Sequence, residues 1–280
     1  MAVDVDCPVI NHLRLCAGYG GIDLALRRVL PSCRTIAYVE IEAFAIASLV
    51  AKMEEGLLDS APVWTDVKTF SAEPFRGLVD IVSGGYPCTP FSWAGLRQGS
   101  SDKKGRHLWP FLRRAIRVVQ PGRVFLENVE GHITLGLSTV LSDLEEDGYQ
   151  SAWGVFSAAE VGAPHQRKRV FILGQLANTS GTRGEAGLSR PEQRKEGQPE
   201  IANDCCARRW PAGSGAPQWE WEEPRVAVSK LDGATDGSAS GLDATTNRVD
   251  RLRLLGNGVC PPTASKAWII LSDKLEAMAA

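Results

Sequence analysis

Two periodicities alternate along the first 173 residues of the chain. Short runs dominated by β-branched and aliphatic residues are followed by longer stretches in which apolar residues recur every three to four positions, as on one face of a helix. The runs at 9–16, 35–39, 62–64, 79–83, 123–126, 151–156 and 170–173 predict strands, and the stretches at 22–30, 42–54, 107–119 and 133–147 predict helices. Helices alternating with strands throughout predict an α/β fold built on a doubly wound, mostly parallel sheet. The pattern breaks between 175 and 250, where Gly, Pro, Ser and Ala are frequent and no long apolar period is found. Trp210, Trp219 and Trp221 in that stretch speak against a bare linker and predict a small loop-rich subdomain, with a partly disordered insert as the alternative. The period returns at the end, where residues 254–259 turn into a helix over 262–278 with Ala267, Ile270, Leu271 and Leu275 on its apolar face. The chain therefore divides into 1–174, 175–250 and 251–280, the last docking back on the first.

Composition bounds this picture without changing it. A length of 280 residues suits one large domain with a smaller insert, and a hydrophobic fraction of 44% with 23% charged residues excludes wholesale disorder. The net charge of -2 gives no global sign of a nucleic-acid partner, so local clusters must carry any such reading. No apolar run is long enough to span a bilayer, and Asp4 and Asp6 stand where a signal peptide would be basic; both point to the cytoplasm and away from a membrane. Seven cysteines at irregular positions and four scattered histidines form neither a disulfide framework nor a zinc site, so no metal is expected.

Chemistry concentrates where predicted strands end. The first runs into Cys16-Ala17-Gly18-Tyr19-Gly20-Gly21 and then a helix opening at Ile22. Strand, glycine turn and helix form the opening unit of a nucleotide-binding sheet: the glycines admit a ligand close to the backbone, and the helix amino terminus offers free N–H groups. Glu40, at the end of the second strand, follows the turn at the distance where this architecture binds ribose hydroxyls. The fourth strand delivers Gly84-Gly85-Tyr86-Pro87-Cys88, which makes Cys88 a candidate nucleophile at the edge where α/β sheets bind ligands. The fifth ends at Glu127-Asn128-Val129, and Gln166-Arg167-Lys168-Arg169 precedes the last. A thiol and a carboxyl beside a nucleotide-like cofactor suggest covalent catalysis combined with proton donation. The glycine-rich, cationic stretch from Trp93 to Arg106 reads as a polar loop able to close over an anionic substrate.

Taken together and in this order, the glycine turn, the Pro87-Cys88 segment, Glu127-Asn128-Val129, the basic run at 166–169 and Gly256-Asn257-Gly258-Val259 resemble the motifs of the cytosine-C5 DNA methyltransferases. The resemblance covers nearly everything outside 175–250. It implies a Rossmann-like fold that binds S-adenosylmethionine and releases S-adenosylhomocysteine, with no metal, and a monomer acting on double-stranded DNA. Cys88 is implied as the thiolate that attacks C6 of a flipped-out cytosine, Glu127 as the protonated carboxyl that meets N3, and Arg167 and Arg169 as cations beside them, Arg169 nearest the base. Asn128 is implied as fixing the local backbone, and Pro87 makes the dipeptide that carries Cys88 rigid.

For the cofactor, the resemblance implies Cys16, Ala17, Gly18, Tyr19, Gly20, Gly21 and Ile22 around the methionine portion, Glu40 on the ribose, Ile41, Asp66 and Val67 near the adenine, and Asn257, Gly258 and Val259 closing the site. Cys16 stands where the family commonly has phenylalanine, and Ile41 where an aromatic often stacks. Ser92, Arg97, Lys103, Lys104 and Arg106 are implied as phosphate contacts, and 175–250 as the target recognition domain. An RNA cytosine-C5 methyltransferase of the same fold, or a relative that binds DNA without catalysis, stays open as an alternative. So do the setting, whether restriction-modification, phage self-protection or regulation, and a donor that is a modified S-adenosylmethionine.

Overall fold

A computed structural model describes residues 8–86, 108–177 and 248–279 of the protein. Seven strands form one sheet: β1 (Ile10–Leu15), β2 (Cys33–Val39), β3 (Val63–Trp64), β4 (Ile81–Gly84), β5 (Arg123–Val129), β6 (Tyr149–Phe156) and β7 (Arg169–Leu176), in the spatial order β3-β2-β1-β4-β5-β7-β6. The first five are parallel, and β1 lies between β2 and β4. The chain order reverses there, and the crevice beyond the carboxyl ends of such strands is where open α/β sheets take their ligands.

The sheet departs from the expected alternation at one side. Between β6 and β7 the chain makes only a short 3-10 turn, Ala159–Val161, and no helix. A parallel return needs a long crossover, so β7 comes back antiparallel to β6 and inserts between it and β5, antiparallel to both. This reversal has a chemical effect. Arg169, the first residue of β7, pairs in register with Val129, the last residue of β5, so the start of one strand meets the end of the other at the ligand-binding edge.

The period-two alternation of the strands sends their side chains into two cores. Leu13, Leu15, Val82, Val124, Leu126 and Ile172 meet α3 (Trp109–Val119) and α5 (Leu137–Glu146) on one face. Ile10, Ile81, Phe125, Phe171 and Leu173 meet α1 (Gly21–Val29) and the terminal helix α7 (Pro261–Ala279) on the other. In the terminal helix Ala267, Trp268, Leu271 and Leu275 are buried in the same cluster as Ile22, Ala25 and Leu26 of α1, while Ile270 is only partly covered. The remaining helices are α2 (Ala43–Glu54), the short α4 (His132–Leu135) and α6 (Arg248–Asn257).

Three local expectations change. The helix read at 133–147 is broken at Gly136, where the ring of His132 occupies the space a side chain would need, and forms α4 and α5. Glu127 and Asn128 lie inside β5 rather than after it, because β7 pairs with them. Residues 254–257, read only as the lead into the terminal helix, continue α6 up to Asn257; the chain breaks only at Gly258, which lies against the ring of Tyr19.

Candidate active site

The first strand leaves the sheet through residues in unusual conformations. Cys16 (φ 50°), Gly18 (φ 57°) and Gly20 (φ 85°) lie in the left-handed region, and Gly20 is the residue from which α1 starts. A side chain at Gly20 would be strained by that φ and would also strike Leu58. The turn is held by Ala17 N–H donating to Val39 O at 3.0 Å and Gly18 N–H donating to Glu40 Oε2 at 2.6 Å. Glu40 Oε1 accepts the N–H groups of Ile41 and Glu42, both at 2.9 Å. Glu40, buried to 7% exposure, therefore brackets the ends of β1 and β2 with three backbone bonds.

Space remains around this turn. A methyl group built on Gly18 would meet no atom within 4 Å. Ile41 after β2 is 63% exposed, and Asp66 and Val67 follow β3 at the same edge, Val67 buried and Asp66 accepting the Lys68 N–H at 2.9 Å. Open space at Gly18, a carboxylate at the end of β2 and the apolar Ile41 and Val67 beyond it fit the parts of S-adenosylmethionine. Burial pushes the Cys16 thiol up to about 12, so it is an inert neighbour of the turn.

Glu127 is the centre of the edge. Its carboxyl is buried, and Arg169 Nε lies 2.9 Å from Oε1. Burial pushes the Glu127 carboxyl above the ordinary glutamate range, against the pull of Arg169, Arg14 and Arg167 toward the ionised form. Gly85, next to β4, has no side chain for a visible reason: a methyl there would stand 2.9 Å from Glu127 Oε2 and 3.7 Å from Arg14 Nη2. The adjoining Asn128 donates from Nδ2 to Tyr86 O at 3.4 Å and accepts the Val129 N–H at 2.8 Å. Tyr86 is further fixed by His132, 2.9 Å from its hydroxyl, and by Trp109, whose ring centroid lies 5.7 Å away. The residue before the Pro87-Cys88 pair is thus held by its carbonyl, its hydroxyl and its ring.

The two arginines of the basic run share the Gly256 carbonyl but otherwise differ in their neighbours. Arg169 reaches Glu127. Arg167, at φ 38°, donates from Nη2 to the carbonyls of Leu255 at 2.5 Å, Gly256 at 3.1 Å and Gly258. The Tyr19 hydroxyl donates to the neighbouring Val259 carbonyl, so Asn257, Gly258 and Val259 are tied to the glycine turn from one side and to the basic run from the other.

Pro87, Cys88, Ser92, Arg97, Lys103, Lys104, Arg106 and nearly all of 175–250 lie outside the described residues. Among the described residues, no group of three His, Cys, Asp or Glu side chains gathers as a metal ion would need. One constellation escaped the sequence reading. His12 and Arg14 of β1, Asp23 of α1, Thr35 of β2 and Ser83 of β4 form a buried polar cluster beneath the edge. Its signal was present in Ile10-Asn11-His12-Leu13-Arg14-Leu15, where alternate positions of a buried strand carry ionisable groups.

Residues 10–205 match the family model for C-5 cytosine-specific DNA methylase. Type II methyltransferase M.CviJI of Paramecium bursaria Chlorella virus IL3A is 35% identical over 164 residues, which is 58% of this chain and 42% of the relative. Type II methyltransferase M.NlaX of Neisseria lactamica is 31% identical over 166 residues, 58% of this chain and 51% of the relative. The chain spans about half the length of the curated relatives it matches. Among solved structures, a Spodoptera frugiperda DNMT2 mutant superposes with a TM-score of 0.50 at 18% identity, over 66% of this chain and 54% of that one, a likeness of fold.

Proposed function

Since the chain belongs to the C-5 cytosine-specific DNA methylase family, we propose that it is a DNA cytosine-C5 methyltransferase acting on a base flipped out of duplex DNA. The observation that carries this reading is the Glu127 carboxyl: buried at the carboxyl edge, met by Arg169 at 2.9 Å, and set beside the strand that leads four residues later to Cys88. A carboxyl in that place suits a base whose ring nitrogen gains charge during reaction.

In the proposed reaction the Cys88 thiolate adds to C6 and gives C5 enamine character. A free thiol of pKa about 8.5 is only a few per cent ionised at neutral pH, so nearby positive charge assists this step. Protonated Glu127 donates a hydrogen bond to N3 and stabilises the charge that develops there. Ala17 to Gly21, Glu40, Ile41, Asp66, Val67 and Asn257 to Val259 hold S-adenosylmethionine, which when bound supplies the electrophilic methyl group for C5. Loss of the C5 proton and elimination of Cys88 end the cycle. Flipping costs a few kcal/mol, and Ser92, Arg97, Lys103, Lys104 and Arg106 are proposed to offset part of it on DNA phosphates. Residues 175–250 are proposed as the part that reads the target sequence. Relatives from a bacterium and a virus of algae support a bacterial or virus-borne setting, with action in the cytoplasm.

The test is transfer of a labelled methyl group to duplex DNA, with transfer RNA in competition, and trapping of a covalent complex on DNA containing 5-fluorocytosine. Label in DNA C5 and a trap abolished by Cys88→Ser are expected. Label in RNA alone would replace DNA as the substrate, and no label on either, with cofactor bound, would leave only a binding protein.

A further inference from the structure

Arg14 occupies a position where a buried central strand ordinarily carries an aliphatic residue. It is 3% exposed, and the alternation of β1 points it, with His12, toward the face on which Ser83 and Glu127 also lie. Its guanidinium is divided between two levels. On the inner side Nε stands 3.4 Å from Asp23 Oδ2, and Asp23 in turn accepts from Thr35 at 3.0 Å. On the outer side Nη1 lies 3.4 Å from Ser83 Oγ and Nη2 lies 3.4 Å from the Ala17 carbonyl of the glycine turn. The same Nη2 and Glu127 Oε2 flank the point where a Gly85 side chain would be.

We propose that Arg14 is a positioning residue of the methyl-transfer site, joining the glycine turn, the strand that leads to Cys88 and the carboxyl of Glu127 through one anchored guanidinium. The proposal rests on the reading of Glu127 as the group that meets the base. An ion pair made only for stability would be an expensive choice in a core, since apolar residues of similar volume serve as well or better. What distinguishes this one is its direction: Asp23 pairs with the inner end at 3.4 Å, and the outer end lies by Ser83 and the Ala17 carbonyl, with Glu127 across the space over Gly85.

Glu127 faces charged or titratable groups from several elements: Arg14 on β1, Tyr19 in the glycine turn, Arg167 before β7 and Arg169 on β7. Arg167 and Arg169 also bond carbonyls of the 255–258 segment, so they follow any movement of that segment. Arg14 is fixed to the sheet instead.

The experiment uses the full chain. The carbonyl stretch of protonated Glu127 is followed by infrared difference spectroscopy as pH is varied, with the band assigned by its loss in Glu127→Gln. Removing a nearby cation disfavours the carboxylate, so Arg14→Met should raise the midpoint by about one pH unit or more, and Arg14→Lys by less. In methyl transfer, kcat of Arg14→Met should fall by on the order of tenfold to a hundredfold, with KM for DNA changing less than kcat. Should Arg14→Met fail to fold because Asp23 is left alone, the double variant Arg14→Met/Asp23→Asn removes both charges and should show the same rise. An unmoved midpoint in a folded variant overturns the proposal. If the wild type transfers no methyl group, the functional reading falls while the infrared titration still decides whether Arg14 acts on Glu127.

Discussion

Two charge clusters in this protein use the same chemistry in opposite proportions. At the back of the molecule one guanidinium, Arg113 of α3, meets three carboxylates of the α5 region: Asp143 at 2.6 Å, Glu146 at 2.7 Å and Asp147 at 2.8 Å. At the ligand-binding edge one carboxylate, Glu127, is faced by Arg169, Arg14 and Arg167. Water reaches the first cluster, where the Glu146 side chain is 74% exposed, so its excess negative charge is solvated and the bonds act as a strut between two helices. The second cluster is buried, and its excess charge is positive. Geometry alone does not separate a strut from a reactive centre; burial and the sign of the surplus do.

The sharpest way to test that distinction is to neutralise Glu127. Glu127→Gln keeps the shape and should cut kcat by about a hundredfold to a thousandfold, the range seen when a key charge-stabilising group is lost, while urea unfolding changes little. An equal loss of stability and activity would make it a strut after all. Gly85→Ala should act on the same carboxyl by a steric route. Its methyl would stand 2.9 Å from Glu127 Oε2, which must move, and a displacement on that scale lowers rate by roughly ten- to a hundredfold.

Arg113→Ala should show the reverse profile: a loss of about 1–2 kcal/mol in urea unfolding with steady-state methyl transfer unchanged. Raised salt should shrink that loss, since part of the cluster is exposed. The smallest effect belongs to His12. Burial, then Arg14, lowers its pKa from 6.5 to about 3, so it stays neutral in the native state across a range where the unfolded chain binds a proton. Its contribution is complete above pH 6.5 and declines as pH falls toward 3. Between pH 7 and pH 5.5 the stability gap between wild type and His12→Gln should narrow by about 1 kcal/mol; a gap that widens would mean that His12 is charged in the native state.

The order of strands and helices was legible because each apolar run had the period and length of its element, and Glu127 and Arg169 were legible because their motifs name them. The hairpin of β6 and β7 was harder. A basic strand after a short turn can join a sheet in either direction, and only the missing crossover helix decides it. The helical state of residues 254–257 was hidden by glycine content, which lowers helix propensity but does not forbid a helix whose end is tied by Arg167. The cluster of His12, Arg14, Asp23, Thr35 and Ser83 was hidden differently: its members come from four elements and none belongs to a recognisable motif. The alternation of His12 and Arg14 in β1 was the one trace in the sequence, while their partners on α1, β2 and β4 become visible only in three dimensions.

Arg167 bonds the carbonyl of Leu255 across 88 positions of the chain. In polymer terms this clamp closes a long loop, and the entropy of closing a flexible loop grows only with the logarithm of its length, so doubling the intervening segment costs about 0.6 kcal/mol. The clamp thereby insulates the reactive edge from the size of whatever lies between its two ends. Lengthening or trimming that stretch would therefore leave the bonds of Arg167, and with them the geometry at Glu127, largely as they are.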